Sequence, residues 1–169
     1  MASDYINRGY LSEEELDLIP GVPFSGKIPD KKCAVIECPQ EIPCDPCQSA
    51  CPFGAITLNG EHMTCLPCIE PEKCRGCGNC IPACPGMAIF VVDPNYAEGL
   101  CEISLCYEFL PLPVKGDRVD VTDRSGNRLC DGVITGVRNM SKFDRSAIVS
   151  VACPREYAMS ARAFIRKEL

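Results

Sequence analysis

A chain of 169 residues has room for one domain or two small ones. Its formal charge of −6 excludes nucleic acid as a partner, because phosphate binding needs clustered Lys and Arg. No apolar run approaches the ~20 residues that cross a bilayer, so no membrane span is expected.

The opening Met1-Ala-Ser-Asp-Tyr5 has neither the basic nor the apolar region of a signal peptide. This places the chain in a reducing cytoplasm, where 15 cysteines indicate metal binding rather than disulfides. Residues 1–32 read as an N-terminal arm rather than a core. Within it, Ser12-Glu-Glu-Glu15 has capping-box spacing and predicts a short helix ending before Pro20. The stretch 20–29 is too rich in Pro and Gly for regular structure.

Residues 33–95 read as one two-cluster domain, within which 33–93 form an internal repeat. Each unit is a short strand, a cysteine loop with a helical turn, and a second strand: 34–37 then 54–58, and 66–70 then 86–92. Residues 96–113 read as a linker, with Asp93-Pro94-Asn95 as a turn and Pro111-Leu-Pro113 as a stiff connector. Residues 114–169 read as a small β-rich, barrel-like module. Its strands fall near 118–122, 132–137 and 147–151, its hairpin turn at Asp123-Arg-Ser-Gly126, and a closing helix over 156–167.

The chemistry lies in the repeat. Cys74, Cys77, Cys80 and Cys84-Pro85 follow C-x2-C-x2-C-x3-C-P, in which three thiolates hold one [4Fe–4S] cube and the fourth serves another. Thirty-three residues upstream, Cys44, Cys47, Cys51 and Pro52 superpose on Cys77, Cys80, Cys84 and Pro85. One cube is therefore expected on Cys74, Cys77 and Cys80 with Cys51 crossing over. The other is expected on Cys44 and Cys47 with Cys84 crossing back. This second cube lacks one ligand, because Glu41 stands where Cys74 would align. Cys38 is the reading taken, since the six residues to Cys44 let it loop back. Glu41 is the alternative, a hard oxygen donor at a soft site. With no protein ligand the site would hold [3Fe–4S].

Zinc is the competing metal, but it favours two C-x2-C knuckles set well apart. Cys65 and Cys68 form a C-x2-C that falls in the strand before the second loop, and they read as half-buried thiols, as does Cys33. Cys101, Cys106, Cys130 and Cys153 read as core thiols, and His62 as a surface residue. Lys73 and Arg75 flank Cys74, either raising its cube's potential or simply solvated. No Gly-rich phosphate loop appears.

On its cysteine spacing, the segment 33–93 resembles two-cluster bacterial-type ferredoxins. The resemblance implies an α+β fold with a ferredoxin-like βαβ–βαβ core, cubes between two helices and a sheet, and one-electron transfer at low potential. Glu41 is a departure from that pattern. Over nearly its whole length the chain also resembles ferredoxin-like subunits found beside flavin-dependent dehydrogenases of the proline, hydroxyproline and opine type. Arg8-Gly-Tyr-Leu-Ser-Glu-Glu-Glu15, Val35-Ile-Glu-Cys-Pro-Gln-Glu-Ile-Pro43 and Tyr107-Glu-Phe-Leu-Pro-Leu-Pro113 carry that likeness.

It implies a hetero-oligomeric electron-transfer subunit, not catalytic by itself, that takes electrons from a flavoprotein and passes them on. Each cube would add about −2 to the charge, favouring a basic docking face on the partner. The alternatives are a standalone soluble ferredoxin and a zinc-binding or redox-sensing module.

Overall fold

The computed structural model describes residues 4–22 and 27–167; residues 1–3, 168–169 and, within the Pro/Gly-rich stretch, 23–26 lie outside the described residues. The arm begins with two single-turn helices, α1 (Tyr5–Arg8) and α2 (Glu13–Leu16). The capping box is present at α2: the Glu15 N–H donates to Ser12 Oγ at 3.3 Å and the Ser12 N–H to the Glu15 carboxylate at 2.7 Å. An Arg8–Glu15 ion pair ties the two turns together.

The arm is not separate from the core, which corrects the expectation for 1–32. Leu16, Ile19 and Val22 are buried in an apolar cluster shared with the strands of the large sheet. Beyond them the Ile36 N–H donates to the Gly21 carbonyl at 2.9 Å. A Cβ at Gly21 would sit 2.3 Å from the Ile36 carbonyl oxygen, so only glycine lets the backbones come this close. Gly21→Ala is expected to lower unfolding free energy by about 1–3 kcal/mol, read from urea denaturation. An unchanged midpoint would show that the arm adds nothing to the core.

The repeat folds by exchange between its units. β1 (Cys33–Ile36) of the first unit pairs antiparallel with β4 (Ile89–Ala97) of the second, Cys33 opposite Val92 and Ile36 opposite Ile89. Between them lie α3 (Pro46–Ser49), β2 (Ile56–Leu58) and β3 (Pro67–Ile69). β2 and β3, again one from each unit, form their own two-stranded sheet. β1 is buried at every position, as expected of a short apolar strand covered on both faces. Val35, Phe90 and Val92 face one apolar cluster, while Ala34, Ile36, Ile89 and Val91 face the other, which holds the cysteines.

The remaining strands are β5 (Leu100–Tyr107), β6 (Arg118–Thr122), β7 (Arg128–Arg138), β8 (Ala147–Pro154) and β9 (Ala163–Arg166). They continue the β1–β4 pair into a seven-stranded antiparallel sheet of order β1-β4-β5-β8-β7-β6-β9. The expected linker over 96–113 is thus corrected at its centre. β5 pairs with β8 at every position from Leu100↔Pro154 to Tyr107↔Ala147, and its Cys101 and Ile103 are core residues. Asp93-Pro94-Asn95 is not a chain-reversing turn but a register shift within β4, where a proline is tolerated. The reversal comes later, at Glu98-Gly99, with Gly99 at φ 70°.

The closing helix expected over 156–167 is also corrected. A 3-10 turn (Arg155–Tyr157) precedes β9, which pairs with β6 from Val119↔Arg166 to Thr122↔Ala163. β6 has an open edge there, and its backbone groups bond to a strand where a helix would leave them unpaired. The hairpin turn after β6 is present, with Asp123 Oδ1 accepting from the Ser125 and Asn127 N–H groups.

Candidate metal centres

The second cysteine loop leaves β3 and returns at β4. Gly76 and Gly78 hold φ values of 61° and 78° within it, the left-handed region that glycine enters without strain. Lys32 packs against Gly76, and Arg138 of β7 donates to the Cys77 carbonyl at 3.0 Å. The seven-stranded sheet therefore braces the loop from one side. Cys51, Cys74, Cys77 and Cys80 line one small recess, walled by Ala34, Ile56, Ile69 and Val91. The N–H groups of Ala34 and Gly76 donate to Cys74 Sγ at 3.4 Å each, and that of Ala55 to Cys51 Sγ at 3.3 Å.

A second, larger cavity has Cys38, Cys44, Cys47 and Cys84 on its wall. The Ala88 N–H donates to Cys84 Sγ at 3.4 Å, which is the Ala55–Cys51 bond displaced by the 33-residue repeat. Each crossing cysteine thus sits in the same local backbone, followed by Pro52 or Pro85 that turns the chain back toward a strand. Glu41 is exposed and lies on neither wall, whereas Cys38 lies on the wall with the other three.

The donor sets fit iron–sulfur cubes. Among the described residues no group of three or more His, Cys, Asp or Glu is arranged to hold a metal ion directly. Zinc would draw four sulfurs to about 2.3 Å from one point. A cube carries its irons at separate corners and needs thiolates spread around a space, with N–H donors to sulfur and dry walls. Each recess has four cysteines on its wall and a backbone N–H donating to at least one of their sulfurs.

Burial pushes the Cys47 thiol up to about 11 and the Cys80 thiol up to about 12. Cys74 is lowered to about 5, chiefly by a hydrogen bond from the Cys33 thiol, against burial and with help from the Ala34 and Gly76 N–H groups. Cys33 itself is fully buried, and its thiol is pushed up in turn. Its contact with the Cys74 sulfur was not legible in the sequence, where it is one more thiol on a strand.

Cys68 sits in β3 opposite Thr57, its Sγ 3.1 Å from Thr57 Oγ1, and neither it nor Cys65 lines a recess. Cys68→Ser is expected to leave iron content unchanged; loss of about half the iron would place it among the ligands. Cys101 and Cys153 face each other across β5 and β8 in a buried apolar cluster, sulfurs 3.6 Å apart. His62 is exposed. Lys73 pairs with Glu70 at 2.8 Å, while Arg75 is exposed at the smaller recess.

A charged cluster beside Cys38 has no counterpart among the sequence expectations. Glu37 is buried and accepts from Arg124 Nε at 2.8 Å and Arg162 Nε at 2.7 Å. The arginines come from residues 87 and 125 positions away, so no local pattern announces them.

Residues 67–90, which include Cys74, Cys77, Cys80 and Cys84, match the family described as 4Fe-4S binding domain. Among curated relatives, one component of the Na(+)-translocating ferredoxin:NAD(+) oxidoreductase complex of Acetobacterium woodii is 36% identical over 63 residues. That match covers 37% of this chain and 17% of the relative. The polyferredoxin-like subunit of aliphatic sulfonate oxidoreductase from Pyrococcus furiosus is 33% identical over 71 residues, 42% of this chain and 35% of the relative. A putative electron transport protein of Escherichia coli, YsaA, is 32% identical over 62 residues, 37% of each chain. The chain thus spans well under half the length of each of these relatives. No solved structure matches it. The chain carries a ferredoxin-type 4Fe–4S binding segment, of the kind found in electron-transport proteins.

Proposed function

We propose that the chain is an electron-transfer subunit with two [4Fe–4S] clusters, relaying single electrons from a flavin-dependent amino-acid or amine dehydrogenase to another carrier. The observation that carries this reading is the pair of four-cysteine recesses related by the repeat. Cys74, Cys77, Cys80 and Cys51 hold one cube; Cys44, Cys47, Cys84 and Cys38 hold the other. Cys38 supplies the ligand that the first motif lacks, since it shares the cavity wall and Glu41 does not.

When bound, such cubes accept and release one electron each, which suits a donor that gives up two. The protein's own residues insulate the sites with apolar walls and direct N–H groups at the ligand sulfurs. A flavoprotein partner is supported by the three stretches of whole-chain likeness. The names of two relatives, each part of an oxidoreductase, support a hetero-oligomer. Among the described residues no helix is long and apolar enough to cross a membrane, and the reading places the subunit in the cytoplasm.

Anaerobic purification from the native source tests the proposal. A flavoprotein should co-isolate, and its amino-acid or amine substrate should bleach the broad iron–sulfur absorption. A monodisperse brown monomer would make it a free ferredoxin. A colourless protein with stoichiometric zinc would overturn the cluster reading altogether.

A further inference from the structure

The two cysteine recesses differ greatly in size. The one with Cys38, Cys44, Cys47 and Cys84 encloses about 410 Å³, the other about 10 Å³. The larger therefore extends well past its cysteines, whereas the smaller closes directly over them. The additional wall comes from Tyr10 and Leu11 of the arm, Phe90 of β4, Arg124 of the β6–β7 turn and Arg162 just before β9.

The arginines leave charge and a donor unmet. The Arg162 side chain is 3% exposed. Its Nε donates to Glu37, its Nη1 to the carbonyls of Ala158 at 3.2 Å and Ala161 at 2.6 Å, and its plane lies over Phe90 with the guanidinium carbon 4.9 Å from the ring centroid. Nη2 is buried without a hydrogen-bond partner among the described residues. Arg124 donates twice to Glu37 and once to the Met159 carbonyl. Two guanidinium groups therefore share one carboxylate, and a buried charge left without a counter-ion is strongly unfavourable. Burial lowers Arg162 to about 10, with the neighbouring Arg124 acting in the same direction. Asp123, also on the wall, is held by its own turn through the Ser125 and Asn127 N–H groups and the Ser125 hydroxyl.

We propose that this cavity binds a small monocarboxylic acid, its carboxylate against Arg162 and Arg124 and its apolar body against Tyr10, Leu11 and Phe90. The buried Arg124–Arg162–Glu37 group taken alone carries one positive charge in excess, and the planar guanidinium fork suits a carboxylate. The apolar wall excludes a fully hydrated ion such as phosphate as the preferred ligand. The site lies one residue from Cys38, so a bound acid places a negative charge beside that cube and disfavours its reduction.

The test is calorimetric titration of the intact, cluster-loaded chain with benzoate and isobutyrate, each against its amide and against inorganic phosphate. At least one acid should bind saturably, with its amide weaker by about tenfold or more, the scale of one charge-assisted hydrogen bond. Arg162→Gln should weaken the acid by about tenfold or more as well. Should that variant misfold, the acid-against-amide comparison on the unmodified chain still decides. No saturable binding of either acid, equal binding of the amide, or binding of phosphate alone would overturn the proposal. The redox readout alone rests on the two-cluster reading: bound acid should lower the midpoint of one cluster. Binding without any shift would support the acid site and count against a cube at Cys38.

Discussion

Replacing Cys84 by Ser is expected to remove the cube held by Cys44 and Cys47, not the one held by the rest of its own motif. Cys84 shares a cavity wall with Cys38, Cys44 and Cys47, while Cys51 shares one with Cys74, Cys77 and Cys80. Iron should fall from about eight to about four atoms per chain in either single variant. Combinations then identify the partners. Cys84→Ser with Cys47→Ser should lose no more iron than either alone, because both strike one cube. Cys84→Ser with Cys77→Ser should lose nearly all of it. Cys38→Ser should behave like Cys47→Ser, or leave a three-iron signal in electron paramagnetic resonance, and Glu41→Gln should change nothing. If Cys84→Ser and Cys77→Ser together cost only half the iron, the crossing is wrong and each motif holds its own cluster.

The second large effect is on stability. Glu37→Gln leaves Arg124 and Arg162 buried without their carboxylate, and breaking a buried pair in this way costs about 3–5 kcal/mol. Urea denaturation near neutral pH should show that loss; a change below about 1 kcal/mol would mean the network is solvated in practice. Acid should act through the same group. Burial by itself would raise the Glu37 pKa, but Arg162 and Arg124 overcome it and hold the carboxyl below its usual 4.5. The group therefore adds stability in full above that value and loses it as pH falls through the lower folded value. The natural protein should lose stability over that acid window, and Glu37→Gln should show a shallower slope there. Equal slopes would assign acid lability to other carboxyls. Because Glu37 precedes Cys38, the variant should also loosen the cube on that side.

The candidate site was legible because its determinants are local. Cys74, Cys77 and Cys80 lie within one loop, and the repeat copies the Cys84 environment onto Cys51, down to the same N–H bond. Cys38 was within reach on chain length alone. The strand pairs of the repeat were legible as apolar runs between turn signals. What lay beyond was not. Pro94 read as a turn because proline usually ends a strand, yet β4 absorbs it through a register shift. β5 read as linker because its flanking prolines drew attention from the alternation of Cys101, Ile103 and Leu105. Ala163–Arg166 is too short for period to separate helix from strand, so the open edge of β6 decided the matter. Leu16, Ile19 and Val22 could not be assigned to a core made of strands far along the chain. The Glu37–Arg162 pair spans 125 residues, and nothing in either neighbourhood points to the other.

In the proposed function one chain holds two cubes through exchanged ligands. Iron and acid-labile sulfide assay, with spin quantification after dithionite reduction, tests it most directly on anaerobically prepared protein. Two cubes predict about eight irons and eight sulfides per chain and about two spins. About four irons with one isolated spin, from protein that gains no more on reconstitution, would contradict it.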